Sequence, residues 1–123
     1  WSWGTGLMIN PLYGEIWRVN LEPTVGTEIF KQRPCLIVNA AGIDNYGLRI
    51  VIPITEWNGK MARRAWFIQV SPSALNGLDK ESAIACHHIR SVDLARFDSR
   101  VGRLEADIVE DVNAGLKISL RLA

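Results

Sequence analysis

The sequence predicts a mainly β fold of the α+β class, a small antiparallel and partly closed β-barrel with a C-terminal helix packed on it. Three observations lead there. Short apolar segments with period-two alternation, separated by turn residues, follow one another as far as Arg90. After Glu105 the apolar spacing changes once, to intervals of three and four. Length and composition, 123 residues of which 48% are hydrophobic and 22% charged, suit one compact domain, assigned to residues 8–123.

The first strand is "EIWRVNL", with Trp17, Val19 and Leu21 on one face and Ile16, Arg18 and Asn20 on the other. A loop of about a dozen residues, 22–33, follows; it is longer than most connections in a compact domain, contains Pro23 and Gly26, and delivers Arg33. "PCLIVNA" is apolar throughout its centre, as a strand covered on both faces should be. In "LRIVIPIT", Pro53 cannot donate to a ladder, so regular pairing is expected to end near residues 53–55, leaving Thr55 at a strand end.

"EWNGKMARR" is a basic loop carrying Lys60, Arg63 and Arg64 ahead of a fourth strand, "AWFIQV". "AIACHHIR" reads as a fifth strand and "SVDLARF" as a short helical or turn segment, after which the sheet is expected to end. Ile108, Val109, Val112, Leu116 and Leu120 then mark one stripe of a helix of about four turns. That helix has no Ser, Thr, Asp or Asn cap at its start, and Gly115 costs it roughly 1 kcal/mol, so packing on the sheet must compensate.

Composition narrows the function classes. With 14 basic and 13 acidic residues the net charge is +1, and no global field draws the chain to nucleic acid, although a local basic patch is allowed. No apolar run approaches the roughly 18 residues that would cross a bilayer, so a soluble protein without membrane association is expected. Cys35 and Cys86 lie in apolar runs and read as buried free thiols in a reducing cytoplasm, with a disulfide or a reactive site as the alternatives. "WSWGTGL" is not a secretory signal; Met8 is a candidate natural start, and residues 1–7 are set outside the domain as candidate foreign or disordered residues.

HExxH, CxxC, GxGxxG and the P-loop pattern do not occur, and His87 and His88, adjacent on an expected strand, should point to opposite faces. No metal or nucleotide cofactor is expected. What remains for chemistry is a set of cations and polar groups at strand ends: Arg33, Thr55, the 60–64 cluster, His88 and Arg90.

Taken in order, "GEIWRVNLEPTVGTE", "RPCLIV", "VIPIT" and "HIRSVDLARF" resemble the MazF/PemK family of bacterial toxins over nearly all of residues 13–122. The ordered series carries the specificity: a G-[DE]-[IV]-W strand, a P-T-x-G-[ST]-E loop, R-P, P-I-T, I-R-[ST]-V-D and a terminal helix. The resemblance implies an SH3-like barrel that forms a homodimer. It further implies a metal-independent, sequence-specific endoribonuclease that cuts single-stranded RNA, often messenger RNA, leaves a 2′,3′-cyclic phosphate, and is neutralised by a MazE-like antitoxin in its RNA groove. The family's catalytic arginine and threonine match Arg33 and Thr55.

The chemistry of these residue types agrees. When a ribose 2′-OH attacks phosphorus, charge builds on the phosphoryl oxygens, and a fixed guanidinium stabilises it. Arg33, beside the restricted Pro34, suits that role, while arginine with a pKa above about 12 is a poor proton shuttle. Thr55 can position the phosphate by donating a hydrogen bond. His88 stands where the family carries glutamine, and His87 where it carries an acid; His88 is the candidate catalytic acid or base. RNA contacts are assigned to Glu28, Lys31, Lys60, Arg63, Arg64 and Arg90.

Plainer alternatives stand beside these roles: an Arg33–Glu28 ion pair, a Thr55 that only ends a strand, a solvated 60–64 loop, and an Arg90–Asp93 ion pair. A second function is a non-enzymatic toxin of the CcdB type, binding DNA gyrase through the C-terminal helix. A plain barrel binding module is a third.

Overall fold

The computed structural model describes residues 9–122. The reading of residues 1–7 and of Met8 lies outside the described residues. Seven strands form one antiparallel sheet: β1 (Glu15–Asn20), β2 (Gln32–Ile37), β3 (Leu48–Glu56), β4 (Phe67–Val70), β5 (Ser82–Ala85), β6 (Arg90–Asp93) and β7 (Phe97–Arg103). One helix, α1 (Ala106–Ser119), follows. The strand order is β4-β5-β3-β2-β1-β7, with β6 paired to β3, so the sheet is open rather than closed into a barrel.

Alternation divides the interior in two. Trp17, Val19, Cys35, Ile37, Val51 and Val92 pack on one face with Leu21, Leu94 and Phe97. Ile16, Leu36, Ile52, Ile54 and Ile84 pack on the other with Val112 of α1. β2 therefore has apolar neighbours on both sides, as its continuous apolar centre requires. Cys35 and Cys86 are buried free thiols, not a disulfide. No helix is long and apolar enough to cross a membrane.

The sheet does not end at residue 90. β6 pairs with β3, matching Leu48 to Asp93 and Val51 to Arg90, and β7 pairs with β1. The β1–β7 register shifts between Ile16 and Trp17 and again between Arg18 and Val19. Such bulges break the alternation that marks a strand in sequence. Within "SVDLARF" only Leu94–Arg96 is a short 3-10 turn, capped by the Asp93 carboxylate, which accepts from the Ala95 N–H at 2.8 Å.

α1 has the weak start its sequence implies: Glu105 occupies the N-cap without a capping bond of its own. Its carboxylate instead accepts from the Ser73 hydroxyl at 2.7 Å and from the Asn76 amide at 3.2 Å, tying the 73–76 turn to the helix. Gly115 is a point where α1 packs closely on the sheet. A Cβ there would stand 2.9 Å from Cys86 Sγ and 3.3 Å from Ile68 Cδ1. The helix lies on β4 and the Cys86–His88 turn because this position has no side chain.

Candidate active site

The site arises where β3 changes partner. The Val38 N–H donates to the Ile50 carbonyl at 2.9 Å, so even-numbered residues of β3 turn their backbone groups to β2 and odd-numbered ones away from it. On that second side β6 stops pairing at Val51 and β5 begins at Ile54. Pro53 lies in the gap, and its missing N–H leaves no donor stranded there. β3 therefore runs on to Glu56; the pairing expected to end near Pro53 changes partner instead.

The chain between β5 and β6 folds outward over this gap. Cys86–His88 form a 3-10 turn, not the expected strand, so the two imidazoles do not point to opposite faces; their ring centroids are 4.4 Å apart. A cleft of about 190 Å³ opens there, lined by Glu28, Ile29, Pro53, His87, His88, Ile89 and Arg90. Three of the sequence-derived site residues, Glu28, His88 and Arg90, share this cleft.

The loop before β2 supplies one wall and is built from its own hydrogen bonds. Glu28 Oε1 accepts from the Val25 N–H, and the Glu22 carboxylate accepts from the Lys31 N–H at 3.0 Å. The latter bond holds Lys31 at φ 71°, an uncommon angle for a side-chain-bearing residue that turns the chain into β2. The Lys31 ammonium lies 5.3 Å from the centre of the Phe30 ring, a cation–π contact. Ile29 is packed on the Trp17–Phe97 core, whereas the neighbouring Phe30 is exposed.

Arg33 and Thr55 are not among the residues that line the cleft; they lie next to it along β2 and β3. Cys35 and Pro53 are partners, and two residues further on come Arg33 and Thr55, on the same sheet face by alternation. Arg33 Nε donates to the Phe30 carbonyl at 3.2 Å, which folds the guanidinium along the loop. Thr55 is half-buried and pairs with Ala83. Arg90, facing Val51, donates to the Leu21 carbonyl at 3.4 Å. Neither an Arg33–Glu28 nor an Arg90–Asp93 ion pair occurs among the described residues.

Lys60, Arg63 and Arg64 stand apart from this cleft. With Gly59 they line a second, larger depression of about 540 Å³, on a 3-10 turn (Gly59–Arg63) whose start is capped by the Asn58 side chain. All three are exposed.

Burial lowers the pKa of His88 below the ordinary 6.5, partly offset by the Glu28 carboxylate, which raises it. Burial likewise lowers that of His87, and the neighbouring His88 charge lowers it further. Both imidazoles are therefore mainly neutral at pH 7, the form that accepts a proton. Desolvation pushes the Cys35 thiol up to about 12 and Cys86 to about 11, so neither is a nucleophile. Among the described residues no three His, Cys, Asp or Glu side chains gather into a metal-ligating group.

Pro53, Ile29 and Ile89 line the cleft without having been singled out as site residues from sequence, where His87 was noted as a departure from the family's acid; the placement of Pro53 between apolar strand residues signalled a break in pairing.

Residues 13–120 match the family described as PemK-like, MazF-like toxin of type II toxin–antitoxin systems. The chain belongs to this family. It is 37% identical over 101 residues to the endoribonuclease PemK of Escherichia coli, an alignment covering 80% of this chain and 74% of that protein. It is 28% identical over 110 residues to the endoribonuclease EndoA of Bacillus subtilis, covering 89% and 93%. Among solved structures, MazF of Deinococcus radiodurans superposes with a TM-score of 0.76 at 23% identity, over 92% of this chain and 98% of that one.

Proposed function

We propose that this PemK/MazF-family chain, as a single domain over residues 8–123, is a toxin endoribonuclease that cleaves single-stranded RNA without a metal, at a short sequence. The ribose 2′-OH at the cut attacks the adjacent phosphorus, the bond to the 5′ oxygen breaks, and a 2′,3′-cyclic phosphate remains. The single observation that carries the reading is the cleft at the Pro53 gap, which gathers Glu28, His88 and Arg90 beside the R-P and P-I-T strand ends.

Each residue has a separable task. Arg33, with help from Arg90, stabilises the charge that develops on the phosphoryl oxygens, where a fixed cation acts more strongly than in the ground state. Thr55 donates a hydrogen bond that orients the phosphate. His88, mainly neutral at pH 7, takes the 2′-OH proton; the leaving 5′ oxygen takes one from water, which the open cleft admits. Glu28 shapes the loop and tunes His88. Lys31, Lys60, Arg63 and Arg64 hold phosphates away from the cut without reading sequence.

The endoribonuclease names of the PemK and EndoA relatives support this activity over gyrase binding of the CcdB type. A MazE–MazF complex of Deinococcus radiodurans, with a TM-score of 0.68 at 21% identity, supports a MazE-like antitoxin as partner. We place the toxin in the cytoplasm, as a homodimer; the exposed Ile118, Leu120 and Leu122 at the end of the chain offer apolar surface to a second copy.

The test is cleavage of a diverse single-stranded RNA pool in EDTA, with end mapping. Cleavage should persist, yield cyclic phosphate ends, and stop when the 2′-OH at the cut is replaced by hydrogen. Intact RNA throughout the pool would overturn the reading.

A further inference from the structure

His87 is exposed, yet its ring is held on three sides. Its centroid lies 4.4 Å from that of His88, 4.9 Å from Phe67 and 6.0 Å from Trp66, at interplanar angles of 66°, 83° and 62°. These are edge-to-face contacts, which restrict the orientation of the ring. Trp66 is anchored through its backbone, whose carbonyl accepts from the Cys86 N–H at 2.9 Å, and its ring carries the Arg64 guanidinium at 5.9 Å. An exposed side chain needs no such support to remain in solvent.

The position of the ring matters as much as its rigidity. His87 lines the cleft at Pro53, whereas Arg64, whose guanidinium lies against the Trp66 ring, lines the separate basic depression. His87 touches Trp66 and Trp66 touches Arg64, so this row of side chains links the two depressions, and a strand with its reacting phosphate in the first and a neighbouring phosphate at the second would pass along it. Single-stranded nucleic acid is held in this manner elsewhere: cations track the backbone while rigid aromatic or imidazole rings take the bases.

The geometry points to His87 as a stacking platform for a base of the RNA flanking the scissile phosphate, a substrate-binding residue and not a proton carrier. This rests on the ribonuclease reading above and adds to it a base subsite between the two clefts. A neutral imidazole, the form His87 mainly takes at pH 7, presents such a face to a base.

The experiment uses the full chain and an RNA that carries the mapped cut sequence, made uncleavable by a 2′-O-methyl group at the cut. Single abasic residues are introduced at each flanking position, and affinity is read by fluorescence anisotropy. For the wild type, one abasic position should weaken binding about fivefold or more, the lower end of what base–aromatic stacking contributes. His87→Ala should weaken binding of the intact RNA by a similar factor and become indifferent to that abasic position. His87→Phe, which keeps a flat ring without its nitrogens, should recover most of the loss.

His87→Ala with wild-type affinity and an unchanged abasic profile would overturn the proposal, as would His87→Phe binding as weakly as His87→Ala. Either result, with cleavage of the natural RNA intact, removes only the stacking role. A wild-type protein that neither binds nor cuts any RNA removes the ribonuclease reading and this subsite together.

Discussion

Cys35 and Pro53 form the last described pair of the β2–β3 ladder, and the next residues on that face, going outward, are Arg33 and Thr55. Both strands are held in register by buried apolar neighbours up to that pair and part from each other beyond it, Arg33 staying paired with Val19 of β1 and Thr55 with Ala83 of β5. Arg33→Ala should therefore lower kcat by about 10²–10³, the usual cost of losing one donor to a developing oxyanion. Arg33→Lys, which keeps charge but not the planar fork, should fall between. Thr55→Ala should cost only about three- to tenfold, one neutral hydrogen bond, and Thr55→Ser should restore it. Single-turnover cleavage measures all four, and an Arg33→Ala enzyme within a few-fold of wild type would refute the assignment.

The pH profile tests His88. If the neutral imidazole is the base, activity is present above its pKa and is lost as pH falls through it. Since burial depresses that pKa, the acid limb should have its midpoint below 6.5. Glu28 opposes the depression by stabilising the protonated ring, so Glu28→Gln should move the limb to still lower pH. A limb that moves upward, or that survives in His88→Gln, would assign the proton to another group.

Gly115→Ala should destabilise the fold even though it improves helix propensity by about 1 kcal/mol. The new methyl would press on Cys86 Sγ at 2.9 Å and Ile68 Cδ1 at 3.3 Å, and overpacking of this kind costs about 1–3 kcal/mol. Adding Cys86→Ala should recover part of the loss, so that the double variant is more stable than the sum of the two singles predicts. Urea denaturation of the four proteins closes the cycle.

Thiol reagents should leave the native protein untouched. With Cys35 held at about 12 and Cys86 at about 11, both are protonated and buried at pH 8. Ellman's reagent should react with both only after unfolding, and native RNA cleavage should be unaffected by alkylating agents. Rapid modification of the folded chain would show that one of the thiols is accessible.

Lys60→Ala and Arg63→Ala should weaken RNA binding uniformly across sequences without moving the cut. If each side chain holds one phosphate, each change should reduce the slope of log affinity against log salt by about 0.7. A variant that shifts the cleavage sequence instead would make the basic turn a reader of bases.

The strand ends that bear Arg33 and Thr55 were readable because apolar runs, Pro34 and Pro53 define them locally. β6 and β7 were not. In "FDSRVGR" only Phe97 and Gly102 are buried, and two register shifts erase the alternation; what makes the segment a strand is the free edge of β1 beside it. "AIACHHIR" looks continuous because the turn at Cys86 contains no glycine, proline or asparagine. The turn follows from two strands leaving β3 at different points, a relation between distant residues. The ring cluster was hidden for the same reason. Trp66 and Phe67 meet His87 only through the pairing of Phe67 with Ala85.

The interruption opposite Pro53 has an evolutionary reading. An opening made by side chains closes when a larger residue replaces a smaller one, but this one is made by main-chain connectivity, because β5 and β6 cannot merge into one uninterrupted strand across a residue that offers no donor. The positions around it are therefore free to change identity while the hollow persists. Replacing His87 or His88 would change the chemistry of the cleft wall, while the main-chain gap that opens the cleft would remain.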